Sequence, residues 1–170
     1  MAEASRKNPV ASLATSRGDV KVELFADKAP ITVKNFLDYV GNSFYDGLIF
    51  HRVIGGFMIQ GGGFDKDMRQ KGGQSPIKNE AANGPKNKPG ILAMARTNVV
   101  DSATCQFFIN VADNEFLDHQ STTPQGFGQV IEGMDVVKKI EKVKAGNHGL
   151  HQDVPVEPVI IHSVRLEESA

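Results

Sequence analysis

The chain has 170 residues, 40% of them apolar, and carries 19 basic and 20 acidic side chains for a net charge of −1, so it is most simply one domain with its own core. That balance argues against a nucleic-acid binder, and no apolar run approaches the roughly 20 residues needed to span a bilayer. The lone Cys105 cannot close an internal disulfide, and Met1-Ala2-Glu3-Ala4-Ser5-Arg6-Lys7 lacks the apolar centre of a signal peptide, so a reducing cytoplasm is the expected compartment.

Residues 1–8 read as a polar tail and 168–170 as a short C-terminal one, leaving 9–167 as the domain. Val10 to Ala14 and Val20 to Phe25 alternate apolar with polar and flank Ser16-Arg17-Gly18-Asp19, the pattern of a hairpin. Pro30 suits the first turn of a helix that carries Ile31, Val33, Phe36, Leu37 and Val40 and stops at Gly41. Leu48 to Val53 and Phe57 to Gln60 read as paired strands. A Gly-, Pro- and Lys-rich loop follows from Gly61 to Pro89. Ile91 to Ala95, Gln106 to Val111 and Phe127 to Ile131 are short apolar strands, with Cys105 a half-buried packing residue beside the second. Gly133 precedes a second helix that buries Met134, Val137 and Ile140 with either Val136 or Val143. Val159 to Leu166 closes the chain as a strand. About eight strands with two helices argue for a mainly β fold, an antiparallel barrel capped at its ends, because closure removes exposed edges.

One segment carries the chemistry. Phe50-His51-Arg52-Val53-Ile54-Gly55-Gly56-Phe57-Met58-Ile59-Gln60-Gly61-Gly62 sets a guanidinium among apolar residues, with an amide eight positions on. Unbroken strand phase would put Arg52, Met58 and Gln60 on one face, but Gly55-Gly56 reads as a turn that breaks that phase. A guanidinium is a poor general acid or base and a good rigid donor, so a site around it stabilises charge without moving a proton. His51, at odd spacing from Arg52, points away and is read as structural.

The segment resembles the signature of the cyclophilins, the peptidyl-prolyl isomerases, which runs Phe-His-Arg-x-Ile-x-Gly-Phe-Met-x-Gln-Gly-Gly. Four more stretches are similar to that family: Gly90-Ile91-Leu92-Ala93-Met94-Ala95-Arg96, Ser102 to Ile109 with Cys105 in a Ser position, Asn114-Glu115-Phe116-Leu117-Asp118, and Gly126 to Val137. The similarity covers about residues 10 to 166. Arg96, the longer loop before Gln106 and the ending Gly149 to Pro155 resemble the bacterial cytoplasmic, cyclophilin B-like branch.

The resemblance implies a closed eight-stranded barrel with a helix over each open end. It implies an enzyme that rotates X–Pro bonds in peptides and in folding proteins, as a monomer and with no cofactor or metal. Arg52 would donate to the amide nitrogen of the twisted bond, and Gln60 would orient Arg52. The proline ring would lie on Phe57, Met58, Phe108 and Leu117 with Phe116 at the rim. Ala95, Arg96 and Gln106 would line the peptide. Many members carry Trp where this chain has Phe116, and a His where its loop from Asp118 to Pro124 is longer. His119 and Pro124 are the candidates for that place, and binding of cyclosporin, the family's macrocyclic inhibitor, should be weak. Two other readings compete. His148-x-x-His151-x-Asp153 has the spacing of metal ligands in a hydrolase, but Gly and Pro surround it and no activating carboxylate accompanies it. A non-catalytic proline-peptide-binding module on the same barrel would be marked by a lost arginine, and Arg52 is present.

Overall fold

The computed structural model describes residues 8–26, 29–71, 88–94, 105–113, 126–148 and 151–167, the side chains of His148 and His151 excepted. The first hairpin pairs β1 (Val10–Thr15) with β2 (Gly18–Leu24) around Ser16-Arg17. Their apolar positions Ala11, Leu13, Val20, Val22 and Leu24 all face the core. Helix α1 (Pro30–Gly41) starts on its proline and turns Val33, Phe36, Tyr39 and Val40 inward.

Seven further strands complete one antiparallel sheet: β3 (Leu48–Ile49), β4 (Arg52–Ile54), β5 (Met58–Gly61), β6 (Ile91–Met94), β7 (Phe107–Asn110), β8 (Gly128–Glu132) and β11 (Ile160–Glu167). Helix α2 (Met134–Glu141) lies between β8 and a separate two-stranded ribbon, β9 (Ala145–His148) with β10 (His151–Pro155). Gly133 caps α2 with a φ of 92°, and its Cβ would clash with the Asp19 carbonyl, so only glycine fits there.

The sheet order is β3-β11-β1-β2-β8-β6-β7-β5-β4. Its terminal strands, β3 and β4, are separated in the chain only by Phe50 and His51. Three residue steps reach about 11 Å, whereas nine strands laid flat would span about 38 Å. The sheet must therefore curl until its two ends meet. Leu48 to Val53, read from sequence as one strand, is thus split at Phe50-His51 and supplies both ends. Counted once, it leaves the eight strands of the expected barrel.

Inside the curl lie Leu13, Val22, Ile59, Leu92, Phe107, Ile109 and Ile161, each 0% exposed. Phe36 joins the helix to this core, with ring centroids 5.4 Å from Tyr45, 5.6 Å from Phe107 and 5.4 Å from Phe127. Helix α2 buries Val136, Val137 and Ile140 against β2, β4 and β5, with Met134 partly covered. Of the two alternatives for its fourth buried residue, Val136 is buried and Val143 only half-buried. The ribbon was not foreseen.

Candidate active site

The register across β4, β5, β7 and β6 assembles the site. Arg52 stands opposite Gln60, Gln60 opposite Phe108, and Phe108 opposite Ala93. Directly opposed residues of antiparallel strands point to the same face, so these four form one row across four strands. The next row, Val53, Ile59, Ile109 and Leu92, is 3% exposed or less and faces the core. The Arg52 row therefore faces away from it. Arg52 is exposed, Gln60 and Phe108 are half-buried, and Ala93 is buried. On the same face Ile54, Met58 and Asn110 make a parallel row. Met58 is only 2% exposed yet lies outside the main core cluster, as a pocket floor would.

The turn at Gly55-Gly56 does not scatter Arg52, Met58 and Gln60 to different faces. Three residues, Gly55, Gly56 and Phe57, separate the paired Ile54 and Met58, so parity is kept through the hairpin. Phe57 is held on both sides: its N–H donates to the Ile54 carbonyl at 3.0 Å, and its carbonyl accepts from Val111 N–H at 3.1 Å.

Among the described residues the Gln60 side chain does not hydrogen-bond the Arg52 side chain. Its Nε2 donates to Oε1 of Gln106 at 3.0 Å. Gln106 is fixed from two sides. Glycine at 63 makes room for it, since a Cβ there would lie 2.5 Å from its Cγ and Nε2. Just before it, the Tyr45 hydroxyl donates to the Cys105 carbonyl at 2.7 Å. Burial pushes the Tyr45 phenol well above its ordinary range, so it stays a neutral donor. Cys105 is 2% exposed, more deeply buried than its half-buried reading. His51 is buried with its ring centroid 4.5 Å from that of Phe64.

The arrangement can offer an exposed cation and an apolar floor on one face, with two coupled amides beside the cation. The other sequence-derived site residues, Ala95, Arg96, Phe116 and Leu117, lie outside the described residues, as do His119 and Pro124. Of the competing metal set, the side chains of His148 and His151 also lie outside. Among the described residues no three His, Cys, Asp or Glu side chains are grouped to hold a metal. Nor is any described helix long and apolar enough to cross a membrane.

Residues 10–166 match the family described as cyclophilin type peptidyl-prolyl cis-trans isomerase/CLD. The chain belongs to the cyclophilins. It is a peptidyl-prolyl cis-trans isomerase. Among its relatives, peptidyl-prolyl cis-trans isomerase B of Escherichia coli is 58% identical over 159 residues, covering 91% of this chain and 97% of the relative. A peptidyl-prolyl cis-trans isomerase of Acinetobacter baylyi is 55% identical, covering 94% of this chain and 86% of its own length. A crystal structure of a Cryptosporidium parvum cyclophilin superposes with a TM-score of 0.79 at 26% identity, covering 96% of this chain and 99% of its own. A second crystal structure of that protein, obtained in the presence of the dipeptide Ala-Pro, gives a TM-score of 0.78 at 27% identity, covering 94% and 99%.

Sequence reasoning about this cyclophilin missed three residues that shape the site. Ala93 joins the Arg52 row, Tyr45 anchors the residue before Gln106, and Asn110, 0% exposed, donates to the Ile91 carbonyl at 2.9 Å beside Met58. Alternation alone could have found Ala93. The other two depend on register and on contacts far apart in sequence.

Proposed function

We propose that Arg52 carries the isomerisation. The observation behind this is the row Arg52, Gln60, Phe108 on the outward face of the sheet. Rotation of an X–Pro bond meets a barrier of about 20 kcal/mol because the C–N bond has partial double-bond character. No covalent bond is made, so neither a nucleophile nor a cofactor is called for. In the twisted state resonance is lost, and the ring nitrogen becomes pyramidal and basic. An N–H donor aimed at that nitrogen binds the twisted state better than the planar one, which is what lowers a barrier.

In this reading the proline ring rests on Met58 between Phe57 and Phe108, with Leu117 and Phe116 completing the wall. Ala95 and Arg96 flank the peptide backbone, and Gln106, steadied by Gln60, bonds to it. Gln60 thus acts on the peptide side and sets Arg52 by cross-strand position. Substrates are proline-containing peptides and folding proteins, in keeping with the Ala-Pro dipeptide used with the Cryptosporidium relative. We assign residues 9–167 to one isomerase domain, in keeping with the family match over 10–166, and assign its working state as a cytoplasmic monomer.

The test is kcat/KM on a short X-Pro peptide for the natural protein, Arg52→Ala and Arg52→Lys. Loss of one charged donor from a transition state costs about 2.7–4 kcal/mol, roughly 100- to 1,000-fold. The lysine variant should also be poor, since a point charge lacks the planar fork. Normal turnover in Arg52→Ala would show that a group other than Arg52 stabilises the twisted amide.

A further inference from the structure

The turn that presents Phe57 is held from outside the sheet. Ile54, Gly55, Gly56 and Phe57 form a four-residue turn closed by the Phe57 N–H to Ile54 carbonyl bond. Gly56, at its third position, has a φ of 77°, and Gly55 is not in the left-handed region, which is type II geometry. Type II differs from type I in the orientation of the central peptide, here Gly55–Gly56. Two central glycines leave that orientation without a side chain of their own to favour it.

Glu141 supplies the missing preference. It is the last residue of α2, 85 positions away, and its Oε2 accepts the Gly56 N–H at 2.7 Å. That N–H belongs to the Gly55–Gly56 peptide, so a flip of the peptide would turn it away from the carboxylate. Gly55 also lies beside Glu141, since a Cβ there would be 3.6 Å from the Glu141 carbonyl.

We propose that Glu141 is a positioning residue for isomerisation: its carboxylate selects the type II orientation of the Gly55–Gly56 peptide and thereby sets where Phe57 stands against the proline ring. The proposal rests on Phe57 walling the proline pocket. Helix α2 thus has a second task besides capping the core, linking the C-terminal third of the chain to the active-site turn.

The experiment compares Glu141→Ala, Glu141→Gln and the pair Gly55→Pro with Glu141→Ala. Three quantities are read: hydrogen exchange of the Gly56 amide, kcat/KM on an X-Pro peptide, and Tm. Removing the acceptor should speed Gly56 exchange about tenfold and lower kcat/KM about 3- to 10-fold, the scale of one net hydrogen bond, with Tm within a few degrees. Glu141→Gln keeps an acceptor and should recover most of both. Proline suits the second position of type I and type II turns alike, and with Gly56 already at a φ of 77° in the third position the Pro-Gly pair favours type II; Ile54 already has the extended backbone that precedes a proline well. Gly55→Pro should therefore restore turnover to Glu141→Ala without restoring a carboxylate, which a general stabilising role would not give. Unchanged Gly56 exchange in Glu141→Ala would overturn the proposal. So would faster exchange with unaltered turnover. Phe57→Ala, run alongside, then assigns the failure: if it too is fully active, Phe57 does not wall the pocket, and if it is impaired, the turn orientation is without consequence.

Discussion

Gly63→Ala should injure catalysis while sparing the fold. The new methyl carbon would lie 2.5 Å from Cγ and Nε2 and 2.6 Å from Cδ of Gln106, far inside van der Waals contact. The Gly63 carbonyl accepts Lys71 N–H at 2.8 Å, so the backbone has little freedom to retreat. Gln106 is half-buried, and among the described residues its side-chain amide is bonded to Gln60 alone, so that side chain is what yields. Gly63 does not have a left-handed φ, so alanine brings no backbone strain there. Loss of the Gln106 bond to substrate costs about 0.5–1.5 kcal/mol, or roughly 2- to 12-fold in kcat/KM. Loss of the Gln60–Gln106 bond weakens the folded state by about as much. The folded state loses little, because alanine also narrows the unfolded ensemble by about 0.4–1 kcal/mol. A proline-isomerisation assay with urea denaturation on the same samples reads both effects. Gln106→Ala and the double variant complete a cycle. If the methyl acts through Gln106, the double variant should be no worse than Gln106→Ala alone. Full activity in Gly63→Ala, or losses that simply add, would refute this.

Three further outcomes are expected. Phe116→Trp should tighten cyclosporin by about 1–2 kcal/mol, the scale of one hydrogen bond plus added buried area, with small-peptide turnover little changed; calorimetric titration of both proteins checks it. Turnover should be nearly flat from about pH 6 to 8 and indifferent to chelators, since the proposed step moves no proton; a bell-shaped rate profile or inactivation by EDTA would count against it. Stability should fall on acidification below about pH 4. The Arg165 guanidinium, bonded to Asp46 at 2.7 and 2.9 Å, holds that carboxyl below its ordinary value, and backbone N–H groups of Arg69 and Asp67 do the same for Asp65. Lowered carboxyl groups contribute stability above the unfolded-state value and lose it as pH falls through the folded-state value. Asp46→Asn should flatten the urea midpoint against pH in that range.

Much of the fold was legible because the strands alternate and the helices carry their own start signals. Val10 to Phe25 and Pro30 to Gly41 were readable to within a residue or two. The break at Phe50-His51 was not, because Phe50 is itself buried and continues the apolar run on either side. The ribbon of β9 and β10 was missed because Gly146, Asn147 and Gln152 give no alternation; that pairing depends on neighbours rather than on pattern. At the site, composition pointed to Arg52 and Gln60, but not to their standing opposite each other. That depends on the number of residues in the Gly55-Gly56-Phe57 turn. Gln60 was expected to steady Arg52 and bonds to Gln106 instead, 46 positions on, a distance no local pattern spans. Glu141 carries no local signal either, since the Gly56 amide it accepts lies 85 positions away.

The most direct test of Arg52 separates binding from rotation. Exchange NMR on a short X-Pro peptide, at concentrations that saturate the enzyme, gives the cis–trans rate of the bound peptide. For Arg52→Ala that rate should fall roughly 100- to 1,000-fold while peptide affinity changes little, because the guanidinium acts on the twisted state. A bound-state rate close to that of the natural protein, with only affinity lost, would contradict the central claim.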